Sequence, residues 1–216
     1  MRLRDLSINF DNLSRIQSNL IEFPESELLI VTKNQSKDDL CELLKKGYRC
    51  FGENRVQEAK QKFSHLFSKF NFDLHLIGPL QTNKVKEALI LFDTIQTIDR
   101  KKLVDEIIKV SRKLEIIKTK SYYIQINIGS ESQKSGIEKN SVIDFYNYML
   151  ANNLNIRGLM CIPPNTDDPS EFFQEMCDIR STINPNLKLS MGMSNDYKLA
   201  LKKNSDLIRI GSMIFS

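Results

Sequence analysis

The stretch Leu28-Leu29-Ile30-Val31-Thr32-Lys33 is a short apolar run that ends in a lysine. Such a run is typical of a strand that is buried on both faces. A lysine at its end is unusual, because an isolated buried ammonium is costly. Lys33 is therefore solvated at the strand end, paired with an anion, or held neutral as a nucleophile. Features elsewhere in the sequence are needed to distinguish these three possibilities.

The composition is that of an ordinary globular protein. The chain has 216 residues, 41% hydrophobic and 27% charged, with a net charge of +4. The lysines are scattered along predicted helix faces, which favours a solvated surface over a nucleic-acid site. No stretch is long and apolar enough to span a membrane. We expect one domain over residues 1–216, with no membrane or nucleic-acid partner.

Cysteine and histidine usage excludes an obvious metal centre. The four cysteines lack metal-binding spacing, and the two histidines are far apart in the sequence. Cysteines of this kind are small core residues in a reducing compartment. No signal-peptide pattern is found at the amino terminus, so we expect a cytoplasmic protein.

Strand-like and helical segments alternate along the whole chain. A helical spacing of apolar residues from about Leu3 to Ile21 comes first, and each strand except the last precedes a helix. The predicted strands cover residues 28–32, 48–51, 72–77, 93–98, 122–128, 155–160, 187–191 and 206–210. Strict alternation predicts parallel strands with right-handed crossovers. Eight units favour a single-domain α/β fold, a (β/α)8 TIM barrel with an extra N-terminal helix, over an open doubly wound sheet.

Several helix boundaries follow from capping signals. Ser36, with Asp39 three residues later, predicts a capped helix. Asp99 can cap the helix after strand four, and Ser194 can open a short helix after strand seven. The helix after strand two is predicted from Val56 to Phe70.

Polar and glycine residues collect where the strands end, which in a barrel is the active-site face. The loop after strand seven is Ser190-Met191-Gly192-Met193-Ser194, and Arg209-Ile210-Gly211-Ser212 includes the turn after strand eight. Barrels often bind phosphate at these two loops together, with free backbone N–H groups as donors. The alternative is that the serines are ordinary helix caps and the glycines ordinary turns.

A phosphate site and a lysine at one barrel mouth suggest a phosphorylated carbonyl compound as ligand, because a neutral lysine amine condenses with an aldehyde. Arg209 could direct positive potential towards such a ligand. It could instead pair with a carboxylate such as Glu53 inside the barrel.

A set of motifs resembles the pyridoxal phosphate homeostasis family, which is similar to the N-terminal domain of alanine racemase. The match runs from about residue 28 to the end of the chain. The motifs are Val31-Thr32-Lys33, Phe51-Gly52-Glu53-Asn54, His75-Leu76-Ile77-Gly78-Pro79, Gln125-Ile126-Asn127-Ile128, Lys134-Ser135-Gly136, Gly158-Leu159-Met160, Leu189-Ser190-Met191-Gly192-Met193-Ser194 and Arg209-Ile210-Gly211-Ser212.

The resemblance implies that the cofactor is pyridoxal 5′-phosphate (PLP), held as a Schiff base on Lys33. It assigns the phosphate to Ser194, Gly211 and Ser212, with backbone help from Gly192 and Met193. The remaining cofactor-binding candidates are Arg209 opposite the pyridine nitrogen, Asn54 and His75 lining the mouth, Met160 at the end of strand six, and Lys134 as a second lysine for delivery or exchange.

The segment around the lysine departs from the family pattern. The family more often has Ser-Lys-Thr-Lys-Pro, whereas this chain has Thr32-Lys33-Asn34-Gln35-Ser36. A second basic residue and a proline are missing, so we expect a looser loop after strand one.

The resemblance implies a non-enzymatic PLP carrier with no catalytic residues. We expect a monomer whose partners are PLP and PLP-dependent apo-enzymes. One alternative is a PLP-dependent amino-acid racemase or decarboxylase. Such enzymes carry a second domain that excludes water, and the chain stops soon after strand eight. Another alternative is a Schiff-base aldolase acting on a sugar phosphate. It would also need a lysine and a phosphate site, but it does not account for the full set of motifs.

Overall fold

The computed structural model describes residues 7–215. Eight parallel strands form a closed barrel in chain order, and β8 pairs with β1 to close it. The strands are β1 Glu27–Val31, β2 Cys50–Glu53, β3 Asp73–Leu76, β4 Thr94–Ile98, β5 Ser121–Ile126, β6 Ile156–Cys161, β7 Lys188–Ser190 and β8 Leu207–Ile210. The predicted (β/α)8 barrel is therefore confirmed.

One helix precedes the barrel and one follows each of the first seven strands. The helices are α1 Phe10–Ile21, α2 Lys37–Lys45, α3 Val56–Phe63, α4 Val85–Leu91, α5 Lys101–Ser111, α6 Val142–Ala151, α7 Ser170–Ile183 and α8 Tyr197–Lys202. Short 3-10 turns at Thr82–Lys84 and Lys139–Ser141 lead into α4 and α6. Within residues 7–215, no helix is long and apolar enough to cross a membrane.

Each strand sends alternate side chains to two different environments. Outward residues such as Ile30 and Phe51 join the large apolar core between sheet and helices. Inward residues Leu29, Val31 and Leu207 form a small apolar cluster inside the barrel. The apolar run at residues 28–31 thus packs against both layers, as a strand buried on both faces requires.

The second strand begins two residues later than predicted and includes Gly52 and Glu53. A Cβ at Gly52 would lie 2.3 Å from Leu29 Cδ2. The absence of a side chain at Gly52 therefore leaves room for the Leu29 side chain inside the barrel. The shift matters for function because it places Glu53 in the sheet rather than in the loop beyond it.

Three further boundaries differ from the prediction. Helix α3 ends at Phe63 instead of Phe70, because residues 64–69 form turns that place the Phe67 ring against Phe72. Asp99 does not cap α5; Arg100 holds that position and pairs with the Asp99 carboxylate. Residues 3–6 of the predicted first helix lie outside the described residues, and α1 begins at Phe10.

The predicted cap at Ser36 is confirmed. Its hydroxyl accepts from the Asp39 backbone N–H at 3.1 Å and donates to the Asp39 carboxylate at 2.6 Å. This cap begins α2 only three residues after Lys33 and so limits the length of the loop that carries the lysine.

Candidate functional site

Lys33 lies at the carboxyl end of β1, two residues after Val31, whose side chain points into the barrel. Its side chain is exposed, and its ammonium forms no hydrogen bond or ion pair with residues 7–215. Thr32 before it is fully buried. Lys33 is thus an exposed lysine without a partner among the described residues, two residues beyond the end of β1.

The loops after β7 and β8 meet beside this strand end. The Ser212 hydroxyl donates to the Ser194 hydroxyl at 2.9 Å, which joins the two predicted phosphate-binding turns. The backbone N–H groups of Gly211, Ser212 and Met213 donate to no other described residue. Three successive free N–H groups next to two hydroxyls form a concentrated set of donors for an anion.

Ser194 does not open a helix, contrary to the prediction. Helix α8 begins at Tyr197 with Asp196 as its N-cap, and the Asp196 carboxylate accepts the Met193 N–H at 2.5 Å. The Met193 N–H, predicted as a phosphate donor, is therefore engaged within the loop. The free donors come from the turn after β8 instead.

Two glycines in these loops meet specific backbone requirements. Gly192 has φ +94°, and a Cβ there would lie 2.6 Å from the Ala200 Cβ. A Cβ at Gly211 would lie 3.1 Å from both the Cβ and the carbonyl oxygen of Val31. Side chains at these positions would push the two loops away from β1 and α8.

Arg209 is buried inside the barrel, directly below the two loops. One guanidinium nitrogen donates to Ser190 Oγ at 2.8 Å and another to the Cys161 carbonyl at 2.8 Å. Burial lowers the pKa of Arg209, yet a guanidinium stays charged near neutral pH. The alternative pairing with Glu53 is wrong, because Glu53 lies outside the barrel and pairs with Lys62.

A hydrogen-bonded chain continues from Arg209 across the barrel interior, and we call it the interior relay (Arg209, Ser190, Gln96 and His75). The Ser190 hydroxyl donates to Gln96 Oε1 at 2.6 Å, and Gln96 Nε2 lies 2.7 Å from His75 Nδ1. Burial lowers the pKa of His75 to about 4, so its ring is neutral at pH 7 and Nδ1 can accept. All donors then run in one direction, from the arginine to the histidine.

His75 lies farther from the barrel mouth than predicted. It lies within β3 and lines a cavity of about 70 Å³ whose other walls include Asp73, Asp93 and Lys120, residues at the amino ends of strands. Its ring therefore supports the barrel interior from below, and the expectation that it lines the mouth is wrong.

Asn54 and Met160 differ in their distance from the mouth. Asn54 follows β2 directly and is half-buried at the rim, where Gly78 packs against its backbone. Met160 is fully buried in β6 and pairs in register with Gln125 and Ser190. Met160 is therefore part of the layer below the rim, at the level of the interior relay.

Lys134 lies on the opposite side of the mouth, in the loop after β5. It lines a cavity of about 220 Å³ together with Ile77, Pro79, Gln125, Ser135 and Ile162. Its ammonium donates to the Pro163 carbonyl at 3.0 Å and forms an ion pair with Glu131. In contrast to Lys33, this second lysine has two partners.

A largely buried polar cluster formed by Glu53, Glu58 and Lys62 lies behind β1 and was not predicted from the sequence. Burial raises the pKa of Glu53, although hydrogen bonds from Lys62 and Thr32 oppose the shift. Partial burial would raise the pKa of Glu58 as well, but the bonds from Lys62 and the Asn34 N–H outweigh it and the pKa is lowered. The available signal was a lysine beside Phe63 on the apolar face of α3.

The fold and this mouth define the class of protein. Residues 5–216 match the family described as "Alanine racemase, N-terminal domain". The chain belongs to this family.

Two relatives narrow the comparison. The chain is 37% identical to the pyridoxal phosphate homeostasis protein of Pasteurella multocida, over 94% of this chain and 95% of that protein. PipY of Synechococcus elongatus superposes with a TM-score of 0.85 without PLP and 0.82 with PLP bound, at 28% identity. These matches cover 98% and 95% of this chain and 100% and 99% of the PipY chains. The resemblance stated from the motifs is confirmed.

An enzyme of the same fold is more distant. Alanine racemase of Acinetobacter baumannii superposes with a TM-score of 0.74 at 20% identity, over 94% of this chain but 59% of that enzyme. At this identity the likeness concerns the fold alone.

Proposed function

We propose that this protein binds PLP at the barrel mouth and serves intracellular PLP homeostasis. In this proposal Lys33 holds the cofactor as a Schiff base, formed when its amine condenses with the aldehyde and one water leaves. The observation that carries the proposal is the free Lys33 amine beside the joined loops of Ser194 and Ser212. The names of the relatives and the PLP-bound PipY structure support the same ligand.

The residues at the mouth fit the chemistry of PLP. Free N–H groups at Gly211, Ser212 and Met213 suit a phosphate dianion, and the two loop hydroxyls add further donors. The buried Arg209 guanidinium suits the ring nitrogen of a pyridine, which then accepts a hydrogen bond without being protonated. Asn54 at the rim and Met160 below it complete the proposed cofactor site.

We assign the protein to holding and delivering PLP, without catalytic turnover. Lys33 is exposed, whereas a PLP enzyme has to exclude water and orient a second substrate at its lysine. The recipients would be PLP-dependent apo-enzymes, and Lys134 across the mouth is the proposed second lysine for exchange. We further propose that the protein is a monomer. We also propose that it is cytoplasmic, in keeping with four unpaired cysteines among the described residues.

The first experiment is a binding and mapping measurement. Purified protein is mixed with PLP, the absorbance change of Schiff-base formation is recorded, and the complex is reduced with borohydride and digested. We expect one pyridoxyl peptide, carrying the label on Lys33. A label confined to another lysine, or no label at all, would refute the proposed site.

The second experiment separates a carrier from an enzyme. The PLP-loaded protein is incubated with a panel of amino acids and tested for racemisation and decarboxylation, and separately with an apo-enzyme whose activity reports PLP arrival. Reactivation of the apo-enzyme without amino-acid turnover is expected. Sustained turnover would favour the racemase or decarboxylase alternative, and light scattering of the same sample tests the monomer.

A further inference from the structure

The cluster behind Lys33 consists of one buried lysine between two carboxylates. Lys62 Nζ on α3 lies 2.7 Å from Glu53 Oε1 at the end of β2 and 2.8 Å from Glu58 Oε1 one helical turn away. The Lys62 side chain is 7% exposed and that of Glu53 is 0% exposed. Burying the Lys62 and Glu53 side chains is costly unless each makes specific contacts, so the contacts of the cluster indicate what it does.

Those contacts converge on the backbone on either side of Lys33. Lys62 Nζ donates its third hydrogen bond to the Thr32 carbonyl at 2.5 Å, immediately before the lysine. Glu58 Oε1 accepts the Asn34 N–H at 2.5 Å, immediately after it. The Thr32 hydroxyl donates to Glu53 Oε1 at 2.7 Å and fixes the side chain of the same segment.

The conformation of the loop shows why such support is needed. Asn34 has φ +62°, a left-handed conformation that costs energy in most residues and that asparagine tolerates best. The segment has neither the proline nor the second basic residue of the related pattern. In their place, contacts from α3 hold the loop on both sides of Lys33.

We propose that Glu53, Glu58 and Lys62 are positioning residues for Lys33. By holding the Thr32 carbonyl and the Asn34 N–H, they fix the direction in which the Lys33 side chain leaves the strand. The amine then meets the aldehyde of a ligand whose phosphate is bound beside it, at the loops after β7 and β8. This inference rests on the proposed function, since it concerns the efficiency with which Lys33 condenses with PLP.

The test compares a variant that removes the ion pair of Lys62 with a control that removes a similar ion pair far from Lys33. Replacing Lys62 alone would leave Glu53 buried and uncompensated, so the main variant is the neutral pair Lys62→Met with Glu53→Gln. The control is Lys118→Met, because Lys118 also pairs with a buried carboxylate, that of Asp93, at the amino-terminal side of the barrel. Glu58→Ala is a second variant that removes the acceptor of the Asn34 N–H and leaves the contact between Lys62 and Glu53 in place.

Two quantities are measured at each PLP concentration: total PLP retained by equilibrium dialysis, and the fraction present as Schiff base by absorbance and borohydride trapping. The double variant should lose about 10- to 100-fold in the equilibrium constant for Schiff-base formation on Lys33, as expected for lost charge-assisted contacts. Phosphate-dependent retention of unreacted PLP should remain. Lys118→Met should change the melting temperature without changing the Schiff-base fraction.

The outcomes separate the inference from the function on which it rests. An unchanged Schiff-base fraction in the double variant, or a loss that Lys118→Met reproduces, overturns the positioning role. Failure of the unmodified protein to label Lys33 overturns the proposed function instead. Should the double variant not fold, Glu58→Ala decides: a selective loss of Schiff base supports the inference, and an unchanged Schiff base contradicts it.

Discussion

The two sides of the barrel mouth each present a lysine, but in opposite states. On the side of β1, β7 and β8, Lys33 is exposed and without partners among residues 7–215, beside free N–H groups and two bonded hydroxyls. On the side of β3 to β6, Lys134 is held by Glu131 and the Pro163 carbonyl at the edge of a cavity of about 220 Å³. The difference lies in the partners of each amine.

This contrast indicates that the two sides have different tasks. An unpaired amine at a strand end can react without first breaking a contact, whereas the Lys134 amine must first leave the Glu131 carboxylate. Anion donors are concentrated around Lys33. A phosphorylated aldehyde is thus expected to settle on the β1 side, and the other side can act only after its ion pair opens.

Removing each lysine in turn should give the largest difference between the sides. Lys33→Ala is expected to abolish the reducible PLP adduct, while the free energy of unfolding changes by less than about 0.5 kcal/mol, because the side chain is exposed. Lys134→Ala should retain the adduct. Absorbance titration with PLP and denaturant unfolding of both variants measure the two effects.

The two variants together can contradict the assignment of PLP to the side of Lys33. If Lys134→Ala removed the adduct and Lys33→Ala kept it, the assignment of the two sides would be reversed. Equal partial losses of the adduct in both variants would mean that both amines react with PLP. The different contacts of the two lysines would then not affect PLP binding.

The interior relay joins the two sides beneath the mouth, and its pH dependence should be the next largest effect. The pKa of His75 is lowered by burial from 6.5 to about 4, so the unfolded chain binds this proton more readily than the folded one. The contribution of His75 to stability is complete above about pH 6.5 and is lost as the pH falls towards 4. The full loss amounts to about 3 kcal/mol.

The relay is checked by unfolding at several pH values between 7 and 4. His75→Asn is the reference variant, because its Oδ1 can accept from Gln96 but carries no titrating proton in this range. The stability of the unmodified protein relative to this variant should fall as the medium becomes acidic. A difference that stays constant with pH would show that His75 is not held neutral.

The phosphate donors should give a smaller effect, confined to the β1 side. Ser194→Ala removes one of the two bonded hydroxyls and is expected to weaken PLP binding by about 2 kcal/mol, or roughly 30-fold in Kd, as for a hydrogen bond to a charged group. Pyridoxal, which lacks the phosphate, serves as the matched ligand and should lose little. Equal losses for both ligands would place the phosphate elsewhere.

Much of the barrel was predictable because hydrophobic periodicity is a local signal. The run from Leu28 to Val31 identified β1, and the alternation of elements identified the closed fold. The end of α3 at Phe63 was not predictable, because the apolar residues that suggested a longer helix belong to turns that pack against β3. The shift of β2 depended on a contact between Gly52 and Leu29 that only the assembled barrel reveals.

The positions of Lys33 and Gly211 at the mouth were predictable, because each follows the end of a strand. The site was not predictable where a side chain reaches across space. The pairing of Lys62 with Glu53 joins a helix to a different strand, and the relay from Arg209 to His75 crosses the barrel between β8 and β3. The Met193 N–H was misassigned because the competing Asp196 carboxylate becomes a partner only through the turn geometry.

The smallest expected effect concerns the ion pair that restrains the second lysine. Both partners are roughly 30% exposed, so Glu131→Gln should change the free energy of unfolding by less than about 1 kcal/mol. In a Lys33→Ala background it should nevertheless increase borohydride-trapped PLP on Lys134, because the amine no longer has to break its contact with the Glu131 carboxylate before it reaches the aldehyde. Glu138→Gln is the matched control, since that carboxylate contacts Asn127 in the same loop and not Lys134. Trapping that rises equally in both variants, or in neither, would mean that the ion pair does not set the reactivity of Lys134, and the contrast between the two sides would then have to rest on the phosphate donors alone.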